Sequence, residues 1–97
     1  MASVADLVEE PALRRLASPD VYTRGADCAA RGCVTLGAFG PLRVSARVAE
    51  AHEVELRSTR DGLAWACTCA AGQRGSFCEH AVAAALETWR RSPPRRR

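Results

Sequence analysis

Four side chains able to hold a metal ion fall within fourteen positions of this chain: Cys67, Cys69, Cys78 and His80. They read as Cys-x-Cys, eight residues, then Cys-x-His, with Gly72 and Gly75 and no aliphatic residue larger than alanine between the pairs. Three thiolates and one imidazole complete a tetrahedral shell for zinc, and such a shell leaves no coordination position open. The chemistry implied is therefore one structural Zn2+ rather than a catalytic one. In extended chain, residues two apart point the same way, so Cys67 and Cys69 can face one ion from a strand end. On a helix two residues are ~200° apart, which places Cys78 in the turn before a helix and His80 in its first turn. A thiolate there also gains from the helix dipole. Gly72 and Gly75 permit the reversal that brings the pairs together. Two other readings compete. The four could be small buried residues plus a surface histidine, or a redox dithiol, but Cys-x-Cys lacks the two-residue gap and βαβ surroundings of thioredoxin-like sites.

The elements that must position this set emerge from periodicity. Val4, Leu7 and Val8, interrupted by Pro11 and resumed by Leu13 and Leu16, make residues 1–17 an arm of one or two helical turns. Ser18-Pro19-Asp20 has the N-cap, first-turn proline and acidic residue of a helix start, giving a helix over 18–32. Gly25 inside it costs about 1 kcal/mol relative to alanine, which implies a closely packed neighbouring backbone. Gly32 is placed to end it in a left-handed cap. Cys28 lies on the inner stripe as a core residue, and Cys33 opens the next strand without a ligand role.

Alternation then takes over through residues 33–67, predicting three to four antiparallel strands with one wet face. Asp61-Gly62 reads as a two-residue hairpin turn, pairing 60 with 63 and hence 58 with 65 and 56 with 67. Trp65 and Cys67 then share the inner face with Val54 and Leu56. Across the preceding hairpin Arg47 is expected opposite Glu55, on a solvated charged face. His52 is expected at the surface. A last helix over 77–91, starting near Cys78 or Glu79, carries Val82, Leu86 and Trp89 inward with Ala81 and Ala85. The fold class is α+β: an N-terminal helix, an antiparallel meander, and a knuckle over 67–80 joining the last strand to a C-terminal helix. Residues 1–91 form a single domain in this reading, with 92–97 a basic disordered tail.

Ninety-seven residues with five aromatics provide only a modest core, which a metal staple would supplement. All fourteen cationic residues are arginine, and five (Arg90, Arg91, Arg95, Arg96, Arg97) stand in the last eight positions. Residues 1–89 hold nine Arg against eleven Asp and Glu, so the body is slightly acidic and the basic character sits in the tail. The N-terminus has no secretory pattern and no stretch is apolar enough to span a membrane, which points to a reducing cytoplasm where clustered cysteines bind metal. No Ser-His-Asp arrangement, paired carboxylates or phosphate-cradling glycine motif is present. An enzyme and a small-molecule substrate are not expected.

The Cys-x-Cys, Cys-x-His spacing, with Phe77 before the second pair and an Ala/Val-rich helix after it, resembles the SWIM zinc-finger family at all four positions. Upstream, Tyr22-Thr23-Arg24-Gly25 and Gly32-Cys33-Val34 resemble bacterial members, extending the likeness over residues 18–90. Cys28 stands where those members lead one to expect an aromatic residue, and Glu50 where they lead one to expect glycine. The resemblance implies DNA or protein binding, often beside Swi/Snf-type ATPases, transposases or recombination factors. The first expectation is thus a zinc-stabilised module contacting a protein partner, a DNA-dependent ATPase or helicase-like chain. The alternative is direct nucleic-acid binding through Arg74, Arg90, Arg91 and the terminal Arg95, Arg96 and Arg97.

Overall fold

A computed structural model of the chain describes residues 3–91. Three N-terminal helices, α1 (Val4–Leu7), α2 (Glu10–Leu16) and α3 (Pro19–Ala30), precede four strands, β1 (Val34–Phe39), β2 (Arg43–Val48), β3 (His52–Thr59) and β4 (Gly62–Cys67). A one-turn helix, α4 (Ala70–Gln73), and the final helix, α5 (Glu79–Arg91), complete the order. The strands form an antiparallel meander in the order β1-β2-β3-β4. The α+β reading of the sequence holds, with a more elaborate N-terminus than a single helix.

The arm is docked. Ser3 and Asp6 form a reciprocal capping box at α1, and Pro11 stands in the first turn of α2 instead of breaking a helix, where its missing N–H is no loss. Val4, Val8 and Leu13 are fully buried, and the Val4 N–H donates to Pro41 O at 2.6 Å. α3 is capped as its sequence implies, Ser18 Oγ accepting from the Val21 N–H, and Gly32 closes it at φ +76°.

The middle layer is α5. One side packs on the sheet and the other on α3, so Ala81, Val82, Ala83, Ala84 and Ala85 are all fully buried. A helix apolar on every side belongs inside a protein, and this one is wider in its burial than a single stripe. Trp89, expected inward, is 38% exposed although Glu87 and Thr88 beside it are buried, because it falls with half-buried Leu86 on the side of α5 that the packing leaves partly open. At Gly25 the α3–α5 packing is backbone-close: a Cβ there would meet Val82 Cβ at 2.5 Å and the Glu79 carbonyl oxygen at 2.7 Å. That explains a glycine in mid-helix.

Two strand registers differ from expectation, each by two residues. Observed pairs are Leu56 with Trp65 and Val54 with Cys67, so the β3–β4 turn is centred on Arg60-Asp61. Thr59 organises it by accepting from the Asp61 N–H (3.2 Å) while its hydroxyl donates to Gly62 O (2.8 Å). A shift of two preserves the face, and Cys67 and Trp65 keep the inner side with Val54 and Leu56. Likewise Arg47 opposes Glu53, with an ion pair at 3.0 Å, and Ser45 opposes Glu55. The tight β2–β3 connection behind that register holds Ala49 and Glu50 at φ +56° and +57°.

Cys28 and Cys33 are joined by a disulfide, their Cα atoms 5.6 Å apart. This corrects the expectation of a core thiol and an uninvolved strand residue. The left-handed Gly32 turns the chain back so that the Cys33 N–H reaches Cys28 O at 3.2 Å, which brings the two side chains within bridging range.

Candidate metal centre

Cys67 stands at the last position of β4 and is anchored through its neighbour Thr68. The Thr68 N–H donates to Glu53 O (3.1 Å) and Thr68 Oγ1 accepts from the Glu53 N–H (3.0 Å). Gln73 Nε2 donates to Thr68 O at 2.7 Å. Thr68 thus pins the residue between the first two cysteines to both β3 and α4.

Cys69 caps α4, its Sγ accepting from the Gly72 N–H at 3.3 Å. Gly72 lies so near that a Cβ would stand 2.5 Å from Cys67 Cβ and 2.6 Å from Cys67 O. Gly75 reverses the chain at φ +88°. Its carbonyl accepts from Trp65 Nε1 (3.2 Å), and Trp65 meets Phe77 edge-on with centroids 4.9 Å apart. The loop foreseen between the pairs is therefore one helical turn and a glycine reversal, clamped to β4 by an aromatic pair. Cys78 directly precedes α5, its carbonyl accepting from the Val82 N–H, and His80 occupies the first turn. Both positions are those the helical period demanded.

The ligand atoms of Cys67, Cys69, Cys78 and His80 all lie within 4.8 Å of one another. His80 Nδ1 is 3.8 Å from Cys67 Sγ and 3.9 Å from Cys78 Sγ. Zn–S and Zn–N bonds of ordinary length give tetrahedral edges of about 3.5–3.8 Å. Three sulfurs and one ring nitrogen at these spacings fit one zinc ion. Burial pushes the Cys67 thiol up to about 12 and raises Cys78 as well. At Cys69 burial is outweighed by N–H and thiol hydrogen bonds, led by the Gly72 N–H, and the pKa falls. Burial, then His52, lowers His80 and keeps its ring neutral for coordination. A metal supplies the positive charge that would let the buried thiols ionise.

The remaining candidates do not gather here. Arg74 is exposed at the C-cap of α4, beside the cysteines. Arg90 and Arg91 lie at the far end of α5, about 16 Å along the axis from His80 by helical rise. Both engage Glu87, whose side chain is 3% exposed; Arg90 Nη2 reaches its two oxygens at 2.9 and 2.8 Å, and Arg91 Nε reaches Oε2 at 2.9 Å. Arg95, Arg96 and Arg97, with the rest of 92–97, lie outside the described residues. Sequence reasoning missed three participants. Thr68 was hidden by the register error, which set it opposite residue 55. The ion pair of Arg24 with Glu79 (2.6 Å) crosses from α3 to α5. His52, expected at the surface, meets the His80 ring at a tilt with centroids 4.1 Å apart.

A closed Cys₃His centre bridging a strand end and a helix start defines a structural zinc finger. Residues 52–88 match the family model of the SWIM zinc finger, spanning β3, β4, all four ligands and most of α5. The Tyr22-Thr23-Arg24-Gly25 segment and the first two strands lie outside that match. No curated protein and no solved structure matches the chain significantly.

Proposed function

We propose that the chain is a non-enzymatic interaction module whose zinc centre rigidifies a surface for a protein partner, a DNA-dependent ATPase or helicase-like chain. The observation that carries this reading is the α4 turn. Its residues Gln73, Arg74, Gly75 and Ser76 are exposed, yet the backbone beneath them is fixed by the metal set, by Thr68 and by the Trp65–Phe77 pair. A rigid exposed turn presents side chains at low entropic expense, which favours recognition. Among the described residues no helix is long and apolar enough to cross a membrane. Affinity capture from the native cell with the zinc-loaded chain, using Cys78→Ser as control, tests the reading. A DNA-dependent ATPase retained by the first and lost with the second supports it, and equal recovery by both defeats it.

A second reading, direct nucleic-acid binding, is favoured by Arg74 alone. It stands beside the metal set with no ion pair among the described residues, whereas Arg90 and Arg91 are engaged with Glu87. Phosphate contact predicts affinity falling steeply with salt. A gel-shift titration showing no binding at low salt rejects it.

A further inference from the structure

We infer that His52 is a positioning residue of the metal centre: its imidazole, lying against the His80 ring, sets the plane in which His80 Nδ1 meets the zinc. This concerns the Cys₃His centre only and is independent of any partner.

His80 Nδ1, not Nε2, is the nitrogen that faces Cys67 and Cys78. Nδ1 sits next to the ring carbon that carries the side chain, so a small rotation about that bond swings its lone pair off the ion. The torsion concerned is broad and roughly two-fold for histidine, so intrinsic preference does not hold it. Packing must. His52 lies against the His80 ring with centroids 4.1 Å apart and planes 32° from parallel, a tilted contact close enough for one ring to restrict the rotation of the other.

His52 is itself fixed. It opens β3, is paired with Val48 of β2, and shares the inner parity of Val54 and Leu56. The turn just before it holds Ala49 and Glu50 in left-handed conformation and is tied down by the Ala49 N–H donating to Cys33 O at 2.8 Å. Non-glycine residues in that region persist where surrounding structure over-determines them. Here they bring the chain round tightly enough for the first residue of β3 to reach the centre. The sheet therefore contributes a ring as well as Cys67 to the metal site.

The test uses the full chain with zinc or cobalt(II) alone, comparing His52→Ala with His52→Phe. Zinc affinity is read by competition with a chromophoric chelator, and ligand-field absorption of the cobalt form reports coordination geometry. Loss of the ring contact in His52→Ala is expected to weaken zinc binding by about tenfold or more, the scale of outer-shell effects, and to alter the cobalt bands. A phenyl ring restores the contact without a nitrogen, so His52→Phe is expected to stay within about twofold with the bands intact. Unchanged affinity and bands in His52→Ala would overturn the inference. So would a His52→Phe variant as impaired as His52→Ala, since that result would place the effect in a ring nitrogen and not in the ring contact.

Discussion

Gly25 of α3 and Val82 of α5 touch so closely that the glycine has no room for a methyl group: the added carbon would stand 2.5 Å from Val82 Cβ and 2.7 Å from the Glu79 carbonyl. Arg24 pairs with Glu79 beside this contact. Tyr22, from the same short motif, lies under the Arg14 guanidinium at 4.3 Å. Tyr22 thus ties α3 to α2, while Arg24 and Gly25 tie it to the start of α5, one residue from Cys78 and His80.

Gly25→Ala is therefore expected to destabilise the zinc-loaded protein by about 1–3 kcal/mol, the usual range for overpacking. The Gly25→Ala, Val82→Gly double variant, which removes the Val82 Cβ that the new methyl meets, should cost less than the sum of the two single variants, because the two positions share one contact. Urea denaturation of the three variants measures the coupling directly. Strict additivity would contradict the contact.

Glu50→Gly should have the opposite sign. Glu50 adopts φ +57°, a region that disfavours side chains with a Cβ and that glycine enters freely. A gain of about 0.5–1 kcal/mol is expected, reduced by the added freedom of the unfolded chain. Thermal denaturation at fixed zinc concentration would register it. This is also the position where the SWIM resemblance leads one to expect glycine.

Thr68→Val preserves shape and removes the hydroxyl that accepts from the Glu53 N–H. A cost of about 0.5–1.5 kcal/mol is expected for the lost bond, together with faster zinc loss to a chelator, since Thr68 stands between Cys67 and Cys69. A variant with unchanged zinc release would show that β3 does not steady the ligand pair.

Zinc uptake should release protons, and its affinity should climb with pH. Burial pushes Cys67 to about 12 and Cys78 upward, so both thiols still carry protons at neutral pH, whereas His80 is held below 6.5 and is already neutral above it. With about two to three protons displaced per ion, apparent affinity should rise about a hundredfold to a thousandfold per pH unit through neutrality. Proton competition at His80 adds to the slope only in more acid solution, because burial lowers the pKa of its ring. Calorimetry in buffers of different ionisation enthalpy counts the protons. Stripping the metal with a strong chelator, or changing Cys78→Ser, should unfold at least the 65–90 segment in circular dichroism.

The Cys28–Cys33 bridge closes a six-residue loop, for which chain entropy suggests about 2 kcal/mol of stabilisation. The double variant Cys28→Ser, Cys33→Ser should lose stability of that order and keep its zinc. Loss of metal instead would tie the bridge to the centre.

Most of the centre was legible because its logic is local. Cys67 is set by strand alternation, and Cys78 and His80 by the helical period, whereas Cys69 lies one step past the strand as the N-cap of α4. The parts that escaped depend on register and on contacts between distant segments. Asp61-Gly62 carries a strong turn signal, but Thr59 captured the turn one position earlier and slid the partner strand by two. The face survived the slip and the partners did not, which is why Thr68 went unnoticed. His52 offered no spacing signal, since its role exists only where β3 meets α5. The Cys28–Cys33 bridge had a signal that could have been read: two cysteines flanking a Gly cap, where the chain doubles back.

The enclosure of α5 has a bearing on how this finger could meet DNA. Many zinc fingers lay the helix adjoining their metal ligands into the major groove, with its exposed side chains against base edges. Here that helix is the middle of three layers, its first two turns covered by the sheet on one side and α3 on the other. The stretch Ala81 to Ala85 cannot meet a groove while that packing holds, although Glu79, His80, Leu86 and the end at 89–91 keep exposed surface. The α4 turn, with Gln73, Arg74, Gly75 and Ser76 exposed, and the solvated outer face of the sheet are surfaces beside the centre that this enclosure leaves open.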